Sequence, residues 1–281
     1  MEKFKKVITA DGSFTFYHPL FGESYHSISA GAIGESLKKF LLPSNLLWKA
    51  KRQKEIYLLE VGFGLGYNLT VTAVKLKEVR PNLKIHYFGL EYQIVPPIGE
   101  LELPSPYEGF HEKLRENLLK KEKTSFEIEN VSVNLLLGDA RKRIKELGNL
   151  KFDAIYHDAF SPKRNAELWT LEFLALLKEI IKEEGFWVSY STALPVRRAL
   201  WELGFKIFNT KPVGRKSPGT AATLKGTPAG DTVYPLSEKE VKKILTSPKA
   251  VPYRDPCLCL PREKILENYL NTIGNNSKRE T

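Results

Sequence analysis

The sequence predicts an α/β protein of the doubly wound type, with a seven-stranded, mostly parallel sheet that ends in an antiparallel hairpin and a small β-rich appendage before it. Three observations carry this expectation. Ile56 to Leu59 form a short apolar run that passes through glycines at 62, 64 and 66 into a helix-period pattern, Leu69, Val71, Val74, Leu76 and Val79, stopped by Pro81. Similar short runs recur at Lys84 to Leu90, Val131 to Leu137, Phe152 to His157 and Phe186 to Tyr190, with helical or loop segments between them. Finally, a strand beginning near Gly204-Phe205 is followed by a turn-rich loop and then by Thr220 to Leu224, which completes a β-hairpin.

Taken in order, residues 1–55 read as an N-terminal cap. It holds strand candidates at Phe14 to Tyr17, after an Asp11-Gly12 turn, and at Tyr25 to Ser27, then a helix from Ile33 to Leu41 ended by Pro43. His18 and His26 lie among apolar neighbours and read as packed side chains, not catalysts. Residues 56–225 form the core, with an insertion at 93–130 that begins Pro-rich and carries a charged helix from Phe110 to Lys121. Asn165 is placed to cap an amphipathic helix from Ala166 to Lys182, and Trp169 belongs to its buried face. Residues 226–281 form a C-terminal extension with helices at Ser237 to Leu245 and Glu263 to Leu270 and a polar, disordered end from Asn275.

With 281 residues, 42% hydrophobic and 27% charged, the chain can bury a full core. No apolar run approaches the roughly 18 residues of a membrane helix, and the first residues lack a signal-type segment, so a cytoplasmic protein without a membrane partner is expected. Cys257 and Cys259 have no histidine nearby, which excludes a zinc site and leaves two thiols in a loop; no metal is expected. The balance of 43 Lys and Arg against 33 Asp and Glu, a formal charge of +10, favours a polyanionic partner. The excess is local as well: between Glu202 and Asp231 there is no acidic residue, while Lys206, Lys211, Arg215, Lys216 and Lys225 fall inside.

The strand ends supply the chemistry. Glycines let a ligand approach the helix N-terminus that follows Gly66, but Tyr67 stands where the dinucleotide fingerprint needs its third glycine. The form Glu60-x-Gly62-x-Gly64-x-Gly66 with Asn68 instead resembles the first motif of S-adenosylmethionine-dependent methyltransferases, whose Rossmann-like fold it implies. An acid at Glu60 suits the cationic amino acid moiety of that donor. Glu91, closing the second strand, can accept from both hydroxyls of a ribose diol. Asp139 can accept from an adenine amino group while Ala140 donates its N–H, and Asp139 can equally cap the helix that follows. Asp158-Ala-Phe160-Ser-Pro162-Lys163-Arg164-Asn165 leaves the fourth strand at the edge where open α/β sheets bind ligands, which puts a methyl acceptor there.

Together Asp11-Gly12-Ser13, the glycine motif, Gly138-Asp139-Ala140, Asp158-Ala-Phe-Ser-Pro162 with Asn165 and Trp169, Val196-Arg197-Arg198 and Gly214-Arg215-Lys216 resemble the methyltransferase part of the bifunctional tRNA 5-methylaminomethyl-2-thiouridine biosynthesis protein. The resemblance spans roughly residues 5–225. It implies S-adenosyl-L-methionine as cofactor, tRNA as partner, and methylation of 5-aminomethyl-(2-thio)uridine at the wobble position. Too few residues follow the core for the family's flavin domain, so no FAD is expected, and a separate enzyme would supply the aminomethyl precursor. Asp158 is then the expected catalytic residue, and it also touches the donor; its carboxylate stabilises positive charge growing on the amine, since an ordinary Asp near ~3.9 is too weak a base. Phe160 is expected to stack on the flipped base, and Lys163, Arg164, Arg197, Arg198, Arg215 and Lys216 to meet RNA phosphates. A related fold performs aminopropyl transfer, but that reaction wants acids around a polycation, whereas this region is basic. A non-catalytic RNA-binding protein would not need Glu60, Glu91, Asp139 and Asp158 together.

Overall fold

The computed structural model describes residues 4–214 and 217–279, with side chains through Asn275. Arg215 and Lys216, expected at an RNA-binding loop, lie outside the described residues, as do Glu280 and Thr281 of the expected disordered end. The chain opens with an antiparallel three-stranded sheet of β1 (Lys5–Ile8), β2 (Phe14–His18) and β3 (Glu23–Ser24). Helix α1 (Ala32–Glu35) runs on through a π-helical turn at Ser36–Leu41 and a 3-10 turn, then α2 (Leu46–Ala50) leads to the main sheet.

The main sheet is built from β4 (Glu55–Val61), β5 (Lys84–Glu91), β6 (Ser125–Ile128), β7 (Val131–Leu137), β8 (Phe152–His157), β9 (Ile181–Ser189), β10 (Lys206–Thr210), β11 (Thr220–Thr223) and β12 (Val233–Pro235). Its order is β12-β10-β11-β9-β8-β4-β5-β7-β6, nine strands where the sequence suggested seven. The two additional strands are short edges. β6 pairs antiparallel with β7 inside the 93–130 insertion, and β12 pairs antiparallel with β10 beyond residue 225, so both flanking segments feed the core sheet. The helices are α3 (Tyr67–Val79), α4 (Glu108–Arg115), α5 (Ala140–Arg143), α6 (Leu171–Ile180), α7 (Leu194–Glu202), α8 (Glu238–Thr246) and α9 (Arg262–Arg279). The last continues past Asn275, where the sequence suggested disorder. None of the described helices is long and apolar enough to cross a membrane.

Strand alternation divides the core into two layers. In β4, Ile56 and Leu58 face the layer of α3 and the insertion, whereas Leu59 and Val61 face the layer of α5, α6 and α7. The insertion feeds the core as well: Ile98, Phe110, Leu114 and Leu118 join the first layer. In the second layer, Trp169 is fully buried and its indole N–H donates to the Phe160 carbonyl (2.8 Å). That bond and the buried ring hold residues 166–169 out of the helix expected from Asn165 onward, leaving a 3-10 turn at Ala166–Leu168. The helix proper starts after Thr170, whose hydroxyl accepts from the Phe173 N–H (3.3 Å).

Parallel pairing runs from β4 outward both ways, to β5 and β7 on one side and to β8 and β9 on the other. The chain leaves β4 for α3 on one face of the sheet and β8 for α6 on the other, a switch point that opens a crevice.

Arg197 departs from its expected role as an RNA contact. It is 4% exposed, and its guanidinium donates to Thr220 Oγ1 (3.0 Å), Asn209 Oδ1 (2.7 Å) and the Gly219 carbonyl (3.2 Å), with Glu240 Oε1 at 3.4 Å. It ties α7 to the hairpin of β10 and β11 and to α8. Arg198 faces outward at the same helix, with Nε on Glu202 (2.7 Å) and Nη1 on the carbonyl of Leu245 (3.2 Å) at the end of α8. Arg197→Ala should thus lower the unfolding free energy by about 3 kcal/mol, because it strands buried acceptors and the Glu240 charge. A urea melt read by circular dichroism checks this, with Arg198→Ala changing the midpoint far less.

Candidate active site

The switch point opens into a cavity of about 1550 Å³. Small-molecule pockets commonly run to ~300–1,000 Å³, so there is room for a nucleoside-sized donor and a second base together. Its floor is the end of β4 and β8. Gly62 turns there at φ +87°, and a Cβ on it would stand 2.8 Å from the Asp158 carbonyl oxygen and 3.0 Å from the Ala159 nitrogen. Only glycine lets the two strand ends pass so closely.

Asp158 lines this floor, partly exposed to the cavity, and its Oδ2 accepts from Asn68 Nδ2 (2.8 Å). The same amide nitrogen donates to Glu60 Oε1 (2.7 Å), and Glu60 Oε2 accepts from the Tyr87 hydroxyl. Burial, joined by the neighbouring carboxylates of Glu35 and Glu60, pushes the Asp158 carboxyl well above the usual aspartate range. Burial likewise raises Glu60 to about 8, against the two hydrogen bonds it accepts.

Of the residues expected to bind the cofactor, Gly62, Gly64, Glu91, Asp139, Ala140 and Asp158 all line the cavity. Glu60, Gly66 and Asn68 do not. Glu60 is fully buried beneath α3, because an even-numbered position on β4 points to that layer. Gly66 sits at the N-terminus of α3, where a Cβ would meet Leu114 Cδ2 at 2.8 Å, so it serves packing. Asn68, 2% exposed, acts on Asp158 and not on the cavity.

Glu91 accepts from the N–H of Gly64 (2.9 Å) and of Tyr92 (2.7 Å), and burial, opposed by these backbone donors, raises its carboxyl. Asp139 caps α5 by accepting from the Arg141 N–H (3.0 Å) and also pairs with Arg141 Nη2 (2.7 Å). Burial acts to raise its carboxyl, but the hydrogen bonds and charge of Arg141 outweigh that and hold it below the usual range. Arg141 reaches in turn to Asp255 (2.8 Å), whose Oδ1 accepts from Cys259 N and Leu260 N, both at 3.0 Å. Cys257 and Cys259, expected as free thiols, are joined in a disulfide; Leu258 between them turns at φ 53° and brings their Cα atoms to 5.2 Å. The C-terminal extension thereby buttresses the Asp139 side of the cavity.

The opposite wall belongs to the N-terminal cap, which the sequence left without chemistry. Phe160 is not a bare platform: it stacks on Phe21 (4.2 Å between centroids) and meets His18 (5.3 Å) and Tyr25 (5.2 Å), all of them lining the cavity. Ser161, just after Phe160, is fixed by Glu23 of β3, which accepts from its N–H (3.0 Å). Lys163 and Arg164 are exposed on the adjoining loop. Glu35, His26 and Lys39 also line the wall, and no sequence signal distinguished Glu35 from an ordinary first-turn acid.

A methyltransferase follows from comparison as well as from geometry. Residues 103–225 match the model of an S-adenosyl-L-methionine-dependent methyltransferase family. The crystal structure of MnmC2 from Aquifex aeolicus superposes with a TM-score of 0.90 at 48% identity, covering 98% of this chain and 86% of that one. An uncharacterized protein of Methanocaldococcus jannaschii is 32% identical over 263 residues, 93% of this chain and 70% of its own length. The tRNA 5-methylaminomethyl-2-thiouridine biosynthesis bifunctional protein MnmC of Burkholderia multivorans is 25% identical over 202 residues, 68% of this chain. The chain spans only 30% of that bifunctional relative. The chain is an S-adenosyl-L-methionine-dependent methyltransferase by fold and by kinship. More particularly, it belongs to the family of MnmC2 and of the methyltransferase region of MnmC.

The raised Glu60 carboxyl has a consequence for stability. Its folded value of about 8 lies above the unfolded 4.5, so its contribution is complete below 4.5 and is lost as pH rises toward 8. Through that window the loss approaches about 1.4 kcal/mol per pH unit. Glu60→Gln keeps an acceptor for Asn68 and removes the titration. Its melting temperature should therefore fall less than that of the wild type between about pH 5 and 8, as scanning calorimetry at several pH values would record.

Proposed function

We propose that this chain transfers a methyl group from S-adenosyl-L-methionine to the primary amine of 5-aminomethyl-(2-thio)uridine at the wobble position of tRNA. The observation that carries the reading is Asp158, a carboxylate anchored by Asn68 at the floor of a cavity large enough for donor and base, beside an aromatic wall. The kinship with MnmC2 and MnmC supports the substrate.

The residues fit the donor. Gly62 and Gly64 leave backbone open to it, Glu91 stands where a ribose diol can donate to it, and Asp139 with the Ala140 N–H borders the place for an adenine edge. When bound, the donor supplies an electrophilic methyl carried on a sulfonium. The protein's part is to bring a neutral amine to it in line. Asp158 orients that amine and faces the charge that grows on nitrogen. Because burial lifts its carboxyl, the mismatch with an alkylammonium narrows, and Asp158 also takes the amine's proton, a role an unperturbed aspartate would fill poorly. Asn68 fixes the position of Asp158 and ties it to Glu60.

On the RNA side, Phe160 with Phe21 offers an aromatic face for the extruded base, and Lys163 and Arg164 extend from the same loop toward the backbone of the anticodon arm. Incubation with labelled S-adenosyl-L-methionine and tRNA bearing 5-aminomethyluridine, followed by digestion to nucleosides, should give 5-methylaminomethyluridine; label in any other nucleoside would refute the assignment. Asp158→Asn is expected to cut turnover by about 10² while calorimetry finds donor affinity little changed. Replacing Lys163 and Arg164 with Ala should flatten the slope of log affinity against log salt by about 0.7 for each phosphate that is no longer neutralised.

A further inference from the structure

The Asp11-Gly12-Ser13 stretch belongs to the resemblance but does not line the cavity. Its structural role is to hold α1. Asp11 Oδ2 accepts from the Gly34 N–H (2.8 Å), Asp11 Oδ1 from Ser13 Oγ (2.6 Å) and Thr9 Oγ1 (2.8 Å), and Ser13 Oγ accepts from the Ala32 N–H (3.1 Å). The fit is close: at Gly31, with φ +81°, a Cβ would fall 2.0 Å from the Asp11 carboxyl carbon. Two side chains and a glycine thus fix the start of α1.

What this anchorage positions is Glu35, at the end of α1. Glu35 is 8% exposed, and what it exposes lines the same cavity as Asp158. Its Oε2 accepts from the Ser27 N–H (2.8 Å) and lies 3.7 Å from His26 Nδ1. Its Oε1 has no hydrogen bond among the described residues. Lys39, one turn on in the π-helical segment, does not close an ion pair with it; the ammonium donates instead to the Ser217 carbonyl (3.2 Å). A nearly buried carboxylate held from behind with one oxygen free is built to receive a donor from the cavity.

We propose that Glu35 is a second acceptor-site carboxylate, which together with Asp158 holds the cationic aminomethyl group of the incoming nucleoside. The inference rests on the amine-methylating reading given above and deepens it. An alkylammonium enters charged, and leaving water is costly unless a full negative charge meets it. Asp158 alone meets that need poorly, because once it has taken the amine's proton it carries no charge. The ammonium gives one proton to Asp158, its nitrogen keeps the electron pair for attack, and Glu35 faces the nitrogen again once methylation has restored its positive charge.

The groups that bear on this pair come from four elements. Glu60 and Asn68 approach Asp158 from β4 and α3, His26 approaches Glu35 from the cap, and Lys39 follows it on the π-helical turn. Burial, opposed by Glu35, brings Lys39 down to about 8.

Glu35→Gln keeps an oxygen for the Ser27 N–H and removes the charge. With tRNA bearing 5-aminomethyluridine, it should lower kcat/KM at least about tenfold and move the acid limb of the kcat/KM profile to lower pH, since Asp158 loses a negative neighbour. Donor affinity by calorimetry should stay within about twofold, and Glu35→Asp, which keeps the charge, should recover part of kcat/KM and hold the acid limb near its wild-type position. If Glu35→Gln fails to fold by circular dichroism, Glu35→Asp and wild type are compared at the acid limb instead. An unmoved limb with a lower kcat/KM supports the charge role, and a limb displaced as far as neutralisation would move it overturns that role. Wild-type rates and pH limb in Glu35→Gln also overturn it, as does a collapse of donor affinity, which would make Glu35 a donor contact. A wild type inactive on this tRNA is a different failure, that of the amine-methylating reading itself.

Discussion

One amide nitrogen, Asn68 Nδ2, bridges Glu60 and Asp158 at 2.7 and 2.8 Å, and the geometry of the floor depends on it. Two carboxyl groups forced together in a buried place repel when both are ionised and drift apart without a common donor. The amide supplies that donor and carries no charge of its own. It stands on the first turn of α3, whose start is fixed by the glycine turn at 64–66, so the helix, the turn and the two strand ends are one mechanical unit. A change at any of them is felt at the Asp158 oxygen that faces the cavity.

Around this unit the wall is assembled from distant parts of the chain. The N-terminal cap contributes an aromatic cluster and Glu35; the C-terminal extension contributes Asp255, which holds Arg141 and through it Asp139. Neither segment belongs to the parallel core, yet the cap lines the crevice and the extension supports its lining through Arg141. The crevice is larger than a single nucleoside needs, and a reaction that brings two nucleoside-sized groups together requires that extra room.

The buried charges are handled in two ways. Where a charged partner is structural, as with Arg197 among Thr220, Asn209 and Glu240, the hydrogen bonds are saturated and the group is closed to solvent. At the cavity the carboxyls of Asp158 and Glu35 each keep capacity that no described residue uses. That difference in saturation separates scaffolding from site more reliably than residue type does.

The sequence by itself determined the seven inner strands of the main sheet, their order of appearance and the acids that close several of them, because hydrophobic period and glycine spacing are local properties that the chain displays without folding. It placed Asp158, Glu91 and Asp139 at strand ends, and all three line the crevice. It could not tell which face an end residue takes. Glu60 reads like a ligand, but one step of strand alternation turns it under α3, and Asn68 follows it there. Arg197 and Arg198 read as a basic pair, but helix geometry points one into the core and leaves the other at the surface. The two edge strands, the Cys257–Cys259 bridge and the arrival of Glu35 in the cavity that Asp158 lines were decided only by tertiary structure. Each depends on segments far apart in the chain meeting in space, and no local pattern of residues encodes such a meeting.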